Sequence, residues 1–386
     1  MSRESIVKQA RELYEDINLA SVVARVRAGQ KAVGYLPVYA PREVIHACGM
    51  LPVGVHGGGD QVEIIRGDAY YQSYICHLPR SVVELALSGR LDCLSGMLFP
   101  STCDVIRNLS GAWQVLKPDT YVRYLDLPQG GAPELMTEFW AEELRVLHRD
   151  LARLAGVEVS QDRLRDSIAL YNRVREVVRA LYRARRDHPE RVPSEELYLV
   201  LRAGEVMPPE EFLEFGAAYL AEVAASTASP RDNSRVVVVG AFCEQPPLGL
   251  IKTLERAGCY IVDDDFLVGN RTITRPVATE GDPYVALSAA VVHHAVKCPV
   301  FYEPDPGGKK RVVPDLAREA RADGVIFAAP SFCDPALLDR PMLRAGAEAA
   351  EVPCIAFKYS ENTGQFQQFR EQAGTFSDAI KLWGGR

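Results

Sequence analysis

A five-residue pattern, Pro-Ser-x-Cys-Asp, occurs twice in this sequence of 386 residues, at 100–104 and at 330–334. Each copy follows a short apolar run, at 96–99 and at 324–329, and both runs are typical of buried strands. The Pro ends the strand, and the Asp favours the first turn of a helix. The pattern therefore predicts two strand-to-helix junctions. In an open α/β sheet, ligands bind at such junctions, just past the carboxyl ends of the strands.

Cys103 and Cys333 are the reactive residues of the two copies. A thiol at a helix N-terminus has a lowered pKa, and the resulting thiolate is the form that binds metals. One such cysteine can arise by chance, whereas two in matched contexts are not expected to. The repeated pattern therefore predicts a duplicated metal-ligand arrangement.

Strand-like and helix-like stretches alternate in the first third of the chain and again in the last part. The order is strand, helix, glycine, strand at 32–55, and the same order returns at 235–262. Such alternation is typical of parallel strands joined by right-handed crossovers. We therefore expect an α/β fold of two similar Rossmann-like parallel-sheet domains with an intervening helical segment. The predicted domains are an N-terminal α/β domain at 1–132, a helical insertion at 133–233 and a C-terminal α/β domain at 234–386.

The helical segment is rich in arginine, and its arginines are interspersed with Leu, Val and Tyr: Arg173, Arg175, Arg179, Arg183, Arg185 and Arg186. The sequence favours a solvated helical face as the explanation. The alternative is a surface for an acidic partner or for a phosphate-bearing ligand.

Charge and hydropathy exclude several classes of protein. The formal net charge is −7, so the composition gives no electrostatic indication of nucleic-acid binding. No apolar run reaches the roughly 18 residues of a membrane-spanning helix, and the first residues lack the apolar segment of a signal peptide. We expect a cytoplasmic protein that binds neither nucleic acid nor a membrane.

The nine cysteines do not indicate a disulfide framework in a cytoplasmic chain of this size. Cys76 is a third candidate ligand, because it lies beside His77 and Arg80 in a predicted helix at 70–90 and not in an apolar strand. Cys243 competes with it, since it too follows a predicted strand. The remaining five are predicted to be small buried side chains: Cys48, Cys93, Cys259, Cys298 and Cys354.

The spacing of the cysteines bears on which metal they would bind. The sequence has no C-x2-C pair of the zinc-ribbon type, whereas thiolates from widely separated positions suit an iron–sulfur cluster at a domain interface. It also has no Walker or Rossmann phosphate loop and no nucleophile elbow. Zinc in place of iron, and a non-catalytic electron-transfer protein, remain alternatives.

Six stretches of the sequence, taken together, are typical of one protein family. They are 34–53 (Gly-Tyr-Leu-Pro-Val-Tyr-Ala-Pro-Arg-Glu-Val-Ile-His-Ala-Cys-Gly-Met-Leu-Pro-Val), 74–77 (Tyr-Ile-Cys-His), 100–104, 264–271 (Asp-Asp-Phe-Leu-Val-Gly-Asn-Arg), 331–335 and 361–365 (Glu-Asn-Thr-Gly-Gln). In their order and spacing they resemble the 2-hydroxyacyl-CoA dehydratase/benzoyl-CoA reductase subunit family, over nearly the whole chain and weakly in the helical segment. Within that family the sequence is most similar to the smaller cluster-bearing subunit of the ATP-dependent reductase branch.

The resemblance implies a [4Fe-4S] cluster bound by three cysteines, and the matching positions are Cys76, Cys103 and Cys333. It also implies a heteromeric enzyme with a second homologous cluster-bearing subunit. Separate ATP-hydrolysing subunits would activate the electrons, and ferredoxin would be the upstream donor. The implied substrate is an aromatic acyl-CoA.

In the reductase branch, two electrons reduce benzoyl-CoA, or a substituted benzoyl-CoA, to a cyclohexadiene-carbonyl-CoA. In the dehydratase branch, which is the alternative, one recycled electron forms a ketyl radical that loses the α-hydroxyl group. Both reactions need a proton donor near the substrate. His77, Asp104 and Glu361 are conceivable donors, and the sequence does not select one of them.

Overall fold

The computed structural model describes residues 1–240, 245–294, 305, 307–360 and 366–383. Within these ranges the chain forms two four-stranded sheets surrounded by helices. The strands are β1 (Ala32–Tyr35), β2 (Leu51–Gly54), β3 (Gly96–Pro100), β4 (Tyr121–Leu125), β5 (Ser234–Val239), β6 (Cys259–Asp264), β7 (Gly324–Pro330) and β8 (Cys354–Tyr359).

The described helices of the N-terminal half are α1 (Arg3–Glu15), α2 (Ala20–Arg27), α3 (Arg42–Ala47), α4 (His77–Leu87), α5 (Asp104–Leu116), α6 (Pro133–Ala155) and α7 (Gln161–Asp187), with short 3₁₀ turns at Gly59–Gln61 and Gly67–Ala69. Those that follow are α8 (Ser194–Ala203), α9 (Pro209–Ala225), α10 (Leu248–Arg256), α11 (Pro283–His294), α12 (Gly308–Ala320), α13 (Asp334–Ala349) and α14 (Gln367–Trp383).

Both sheets have the same strand order, β2-β1-β3-β4 in the first and β6-β5-β7-β8 in the second, and all their strands are parallel. In each sheet the second strand along the chain lies on one side of the first strand, and the third and fourth strands lie on its other side. The strand order therefore reverses between β1 and β3, and again between β5 and β7. Ligands of doubly wound sheets bind at this kind of switch point. The predicted fold, two Rossmann-like parallel sheets, is confirmed.

The strands are apolar because helices cover the sheets. Every residue of β1, β3 and β7 is buried, as expected for parallel strands covered on both faces. The helices between β4 and β5 pack against both sheets. Trp140 of α6 lies in the core of the first sheet, and Leu199 of α8 lies in the core of the second. The predicted domain boundaries, at 132/133 and 233/234, stay a prediction.

The two halves of the chain meet in one shared core. Leu267, Ala329, Cys333 and Ala336 of the second half pack in the same buried cluster as side chains of β3, α4 and α5. This packing brings the segment after β7 against the segment after β3. The two Pro-Ser-x-Cys-Asp copies are neighbours for that reason.

The two longest described helices, α6 and α7, have 23 and 27 residues and carry many charges. Among the helices of the described ranges, none combines the length and the apolar character needed to cross a membrane.

Candidate functional site

A cavity of about 650 Å³ lies beyond the carboxyl ends of β3 and β7, the two strands that lead into the repeated pattern. All three predicted cysteines line it. The residues that accompany them come from the segment before α4, from β4, from the segments after β3, β4 and β7, and from α5, α6 and α13: Ile75, Ser101, Asp104, Val105, Arg107, Tyr124, Asp126, Leu127, Pro128, Gln129, Phe139, Phe332, Asp334, Pro335 and Leu338. The fold therefore collects Cys76, Cys103 and Cys333 around one space.

The two copies of the repeated pattern share one backbone hydrogen bond at the ends of their strands. Pro100 and Pro330 are the last residues of β3 and β7. The next residue in each copy donates its amide to the end of the neighbouring strand: Ser101 N lies 2.8 Å from the Leu125 carbonyl oxygen, and Ser331 N lies 2.6 Å from that of Tyr359. The predicted strand-to-helix junctions are confirmed.

Cys103 and Cys333 are the N-cap residues of α5 and α13. Their carbonyl oxygens accept the first helical hydrogen bonds, from Arg107 N at 3.1 Å and from Leu337 N at 3.0 Å. The positive end of a helix dipole favours negative charge at this position. Both thiols are therefore placed where the thiolate is stabilised.

Cys76 is also an N-cap, which corrects the predicted helix at 70–90. Helix α4 begins at His77, so Cys76 precedes the helix and does not lie inside it. The cause is Pro79, which has no N–H to donate to a carbonyl four residues earlier and is tolerated only in the first turn of a helix. All three predicted cysteines thus occupy one structural position, before the first residue of a helix.

The cavity wall after β4 is fixed by Ser101, which is buried. Its Oγ accepts a hydrogen bond from Leu127 N at 2.7 Å, and its carbonyl oxygen accepts one from Gln129 Nε2 at 3.1 Å. The Tyr124 phenol interacts with Ser101, and the Arg107 guanidinium lies 5.9 Å from the centre of the Tyr124 ring. No sequence pattern singles out this wall, although its residues follow the strand beside β3.

Tyr71 has a buried hydroxyl group with no hydrogen-bond partner among the residues that the structure describes. Burial raises the pKa of Tyr71 well above its ordinary value, and nearby Cys76 and Cys103 raise it further. The phenol therefore lies close to both thiols. A buried donor without an acceptor is costly unless a further group accepts its proton, so Tyr71 is suited to donate a hydrogen bond to a group held by these cysteines. No sequence pattern singles out Tyr71.

Carboxylates predominate among the charged residues of the cavity. Asp104, Asp126 and Asp334 line it together with one guanidinium, that of Arg107. Of the conceivable proton donors, Asp104 therefore lies at the cavity. His77 is buried as the first residue of α4 and is not among the lining residues. Glu361 lies outside the described residues, as do two other residues of the sequence analysis, Cys243 and Cys298.

Two of the other described cysteines, Cys48 and Cys259, are buried, as predicted. Burial raises the pKa of Cys48 to about 11 and that of Cys259 to about 12, which is the reverse of what a ligand thiol needs. Cys93 and Cys354 are half-buried. The cysteines in the described ranges form no disulfide bond. Over the same ranges, no three His, Cys, Asp or Glu side chains converge on a point where they could hold a metal ion.

Comparison with known proteins identifies the family. Residues 37–380 match the family described as 2-hydroxyglutaryl-CoA dehydratase, D-component. The chain is 49% identical to a benzoyl-CoA reductase subunit of Thauera aromatica over 99% of this chain and 100% of that protein. It is 28% identical to the beta subunit of lactoyl-CoA dehydratase of Anaerotignum propionicum, over 98% and 100% of the two chains. It is also 28% identical to the beta subunit of (R)-2-hydroxyglutaryl-CoA dehydratase of Acidaminococcus fermentans, over 93% and 95%. The chain therefore belongs to the 2-hydroxyglutaryl-CoA dehydratase D-component family.

Proposed function

We propose that this chain is an iron–sulfur subunit of an ATP-dependent benzoyl-CoA reductase. The reaction is the two-electron, dearomatising reduction of benzoyl-CoA, or of a substituted benzoyl-CoA, to a cyclohexadiene-carbonyl-CoA. One observation carries the proposal: three thiols at helix N-termini surround one cavity in a chain that is 49% identical to a benzoyl-CoA reductase subunit.

Cys76, Cys103 and Cys333 would hold a [4Fe-4S] cluster. A cubane cluster binds each thiolate to a different iron, so its ligands surround a volume larger than one metal ion. A cavity of about 650 Å³ that is lined by three thiols fits such a cluster. When bound, the cluster supplies electron transfer at low potential.

The residues around the cavity would stabilise and insulate such a centre. Cys76 and Cys333 are only 5% and 2% exposed, which keeps water from two of the three thiols. The ends of α4, α5 and α13 favour the thiolate form. Asp104, Asp126 and Asp334 add negative charge to the cavity, which favours a low reduction potential because added electrons are then repelled.

The proposed enzyme has further components. The relatives are named as subunits, so we infer a second, homologous cluster-bearing subunit for this chain. Three apolar side chains at the cavity, Phe139, Phe332 and Leu338, are 45%, 52% and 75% exposed and are available for such a contact. Because the sequence has no phosphate loop, ATP hydrolysis belongs to separate activating subunits, with ferredoxin as the upstream donor. The complex would act in the cytoplasm under anaerobic conditions.

A second function is supported by the family description and by the two dehydratase relatives. In that case the chain would be a subunit of a radical 2-hydroxyacyl-CoA dehydratase, with the same cluster on the same cysteines. The greater identity to the reductase subunit, 49% against 28%, favours the reductase.

An assay of the purified complex separates the two functions. Under exclusion of oxygen, the complex is supplied with ATP and a low-potential reductant, and either benzoyl-CoA or lactoyl-CoA is added. We expect a dearomatised acyl-CoA from benzoyl-CoA, dependent on ATP, and no product from lactoyl-CoA. Dehydration of lactoyl-CoA without reduction of benzoyl-CoA would favour the dehydratase. Omission of ATP is the matched control for both substrates.

A further inference from the structure

A second cavity, of about 350 Å³, lies between one face of α7 and the loop after β6. It shares no lining residue with the cavity that Cys76, Cys103 and Cys333 line. Its lining includes Arg42, five further arginines, and side chains of α8 and α9.

The arginines of this cavity fall into two groups. Three are paired with buried carboxylates: Arg42 Nη1 lies 3.0 Å from Glu205 Oε1, Arg175 pairs with Glu43, and Arg186 pairs with Asp263. The other three are Arg179, Arg183 and Arg275, and they form no ion pair or hydrogen bond with any residue that the structure describes. All three are exposed. The paired arginines are held in place by their carboxylate partners and form part of the cavity wall. The three unpaired arginines are available to bind a ligand.

The spacing of the arginines concentrates positive charge. Arg175, Arg179 and Arg183 are four residues apart on α7, so they lie along one face of the helix. Like charges at this spacing destabilise a helix. The one lining carboxylate without an ion pair in the described ranges, that of Glu319, does not balance the three available guanidinium groups. Helix stability alone therefore gives no reason for this row of arginines, whereas a bound anion would neutralise it.

The cavity also has an apolar floor and a fixed opposite wall. Tyr171, Tyr182 and Phe212 line it and are buried. The loop after β6 is tied to α7, because Arg175 Nε donates to the Ile273 carbonyl oxygen at 3.2 Å. The loop carries Arg275, so the available arginines face one space from two elements. Guanidinium groups bind both carboxylate and phosphate oxygens in pairs of parallel hydrogen bonds. Three guanidinium groups around one space exceed what the two oxygens and single charge of a carboxylate can satisfy, whereas a doubly charged phosphate offers more oxygens and more charge.

We propose that this cavity binds a phosphate ester with at least two negative charges. Arg179, Arg183 and Arg275 contact the phosphate oxygens, and the organic part of the ligand lies against the aromatic floor. The arginine-rich segment that the sequence analysis favoured as a solvated face is thus a ligand site in part.

Calorimetric titration of the full-length chain tests the proposal. The probes are adenosine 3′,5′-bisphosphate and inorganic pyrophosphate, which share phosphate chemistry and differ in the organic part. We expect one bisphosphate per chain, bound more tightly than pyrophosphate. In Arg179→Gln/Arg183→Gln the affinity for the bisphosphate should fall by about tenfold for each guanidinium removed, and Arg275→Gln should weaken it by about tenfold from the opposite wall.

The matched control is Arg163→Gln/Arg173→Gln. It removes the same two charges from the same helix, at exposed positions outside the cavity, and should change the affinity less than about twofold. Equal thermal unfolding temperatures of the two double variants verify that both are folded. The proposal is overturned if neither anion binds the wild-type chain, or if both double variants weaken binding equally. Pyrophosphate binding as tightly as the bisphosphate would overturn the assignment to an ester.

Discussion

The amide nitrogen of Ser331 lies 2.6 Å from the carbonyl oxygen of Tyr359, the last residue of β8. Ser101 makes the equivalent bond in the other half of the chain, to Leu125 at the end of β4. Backbone bonds therefore fix the positions of Cys103 and Cys333, two residues further on, without help from the thiols. Substitution of either cysteine by alanine should therefore leave the strand-to-helix junction intact.

Replacement of Ser101 by alanine should destabilise the cavity wall. The Leu127 amide would lose its buried acceptor, and an unsatisfied buried donor costs about 1–3 kcal/mol. We expect a decrease of that size in the free energy of unfolding, measured with urea. The control is Ser110→Ala, because the Ser110 hydroxyl donates to the Arg107 carbonyl within its own helix and has no other partner among the described residues. Equal effects of the two substitutions would contradict the role given to Ser101.

Tyr71→Phe tests whether the buried phenol donates to a group in the cavity. Hydrogen bonds to cluster sulfur raise the reduction potential, so their loss should lower it, on the order of tens of millivolts. Redox titration followed by electron paramagnetic resonance measures the shift. Stability of the cluster-free chain should not decrease, since the hydroxyl has no acceptor among the described residues. Tyr74→Phe, at a 62% exposed phenol, is the control and should leave the potential unchanged. The same potential in both variants would refute the contact.

His56 should make the protein sensitive to acid. His56 Nε2 lies 3.5 Å from Glu205 Oε2. Burial, and then the Arg202 charge, lower the pKa of His56 to about 4. Burial alone would raise the pKa of Glu205, but the charge of Arg42 and the contacts with His56 and Tyr35 lower it to about 2. Both groups thus have folded-state pKa values below their ordinary ones.

The sign of the pH effect follows for each group. The unfolded chain protonates His56 near pH 6.5 and the folded chain only near 4, so stability falls as the pH drops through this window. The stability that Glu205 contributes is lost at lower pH, between about pH 4.3 and 2. We expect the wild type to lose on the order of 2–3 kcal/mol of unfolding free energy through His56 between pH 7 and 4. His56→Gln should flatten this decline, and His188→Gln, at an exposed histidine, should not. An unchanged slope in His56→Gln would argue against the buried neutral histidine.

Local patterns in the sequence were sufficient to predict two parallel sheets and the two strand-to-helix junctions. A buried strand, a terminal Pro and a helix-initiating Asp are all decided within about ten residues, so Cys103 and Cys333 could be placed at strand ends. The position of Cys76 was predicted less well. The helix predicted at 70–90 begins only at His77, because Pro79 is tolerated only in the first turn of a helix.

The remaining features depend on contacts between distant segments. Tyr71 and Tyr124 matter only because the fold brings them near Cys76, Cys103 and Ser101, and no local pattern distinguishes them from other half-buried tyrosines. The cavity lined by Arg179, Arg183 and Arg275 likewise forms where α7 meets the loop that contains Arg275. Sequence periodicity placed the arginines on a helix but did not identify the loop opposite them.

The cluster assignment is tested most directly by iron and sulfide analysis of the anaerobically purified chain. The variants are Cys76→Ala, Cys103→Ala and Cys333→Ala, with Cys48→Ala and Cys259→Ala as controls at buried thiols away from the cavity. We predict about four iron and four sulfide per chain in the wild type and in both controls, and loss of the cluster in each of the three variants. A full cluster that survives any one of the three substitutions, or a wild-type chain that contains no iron, would contradict the assignment.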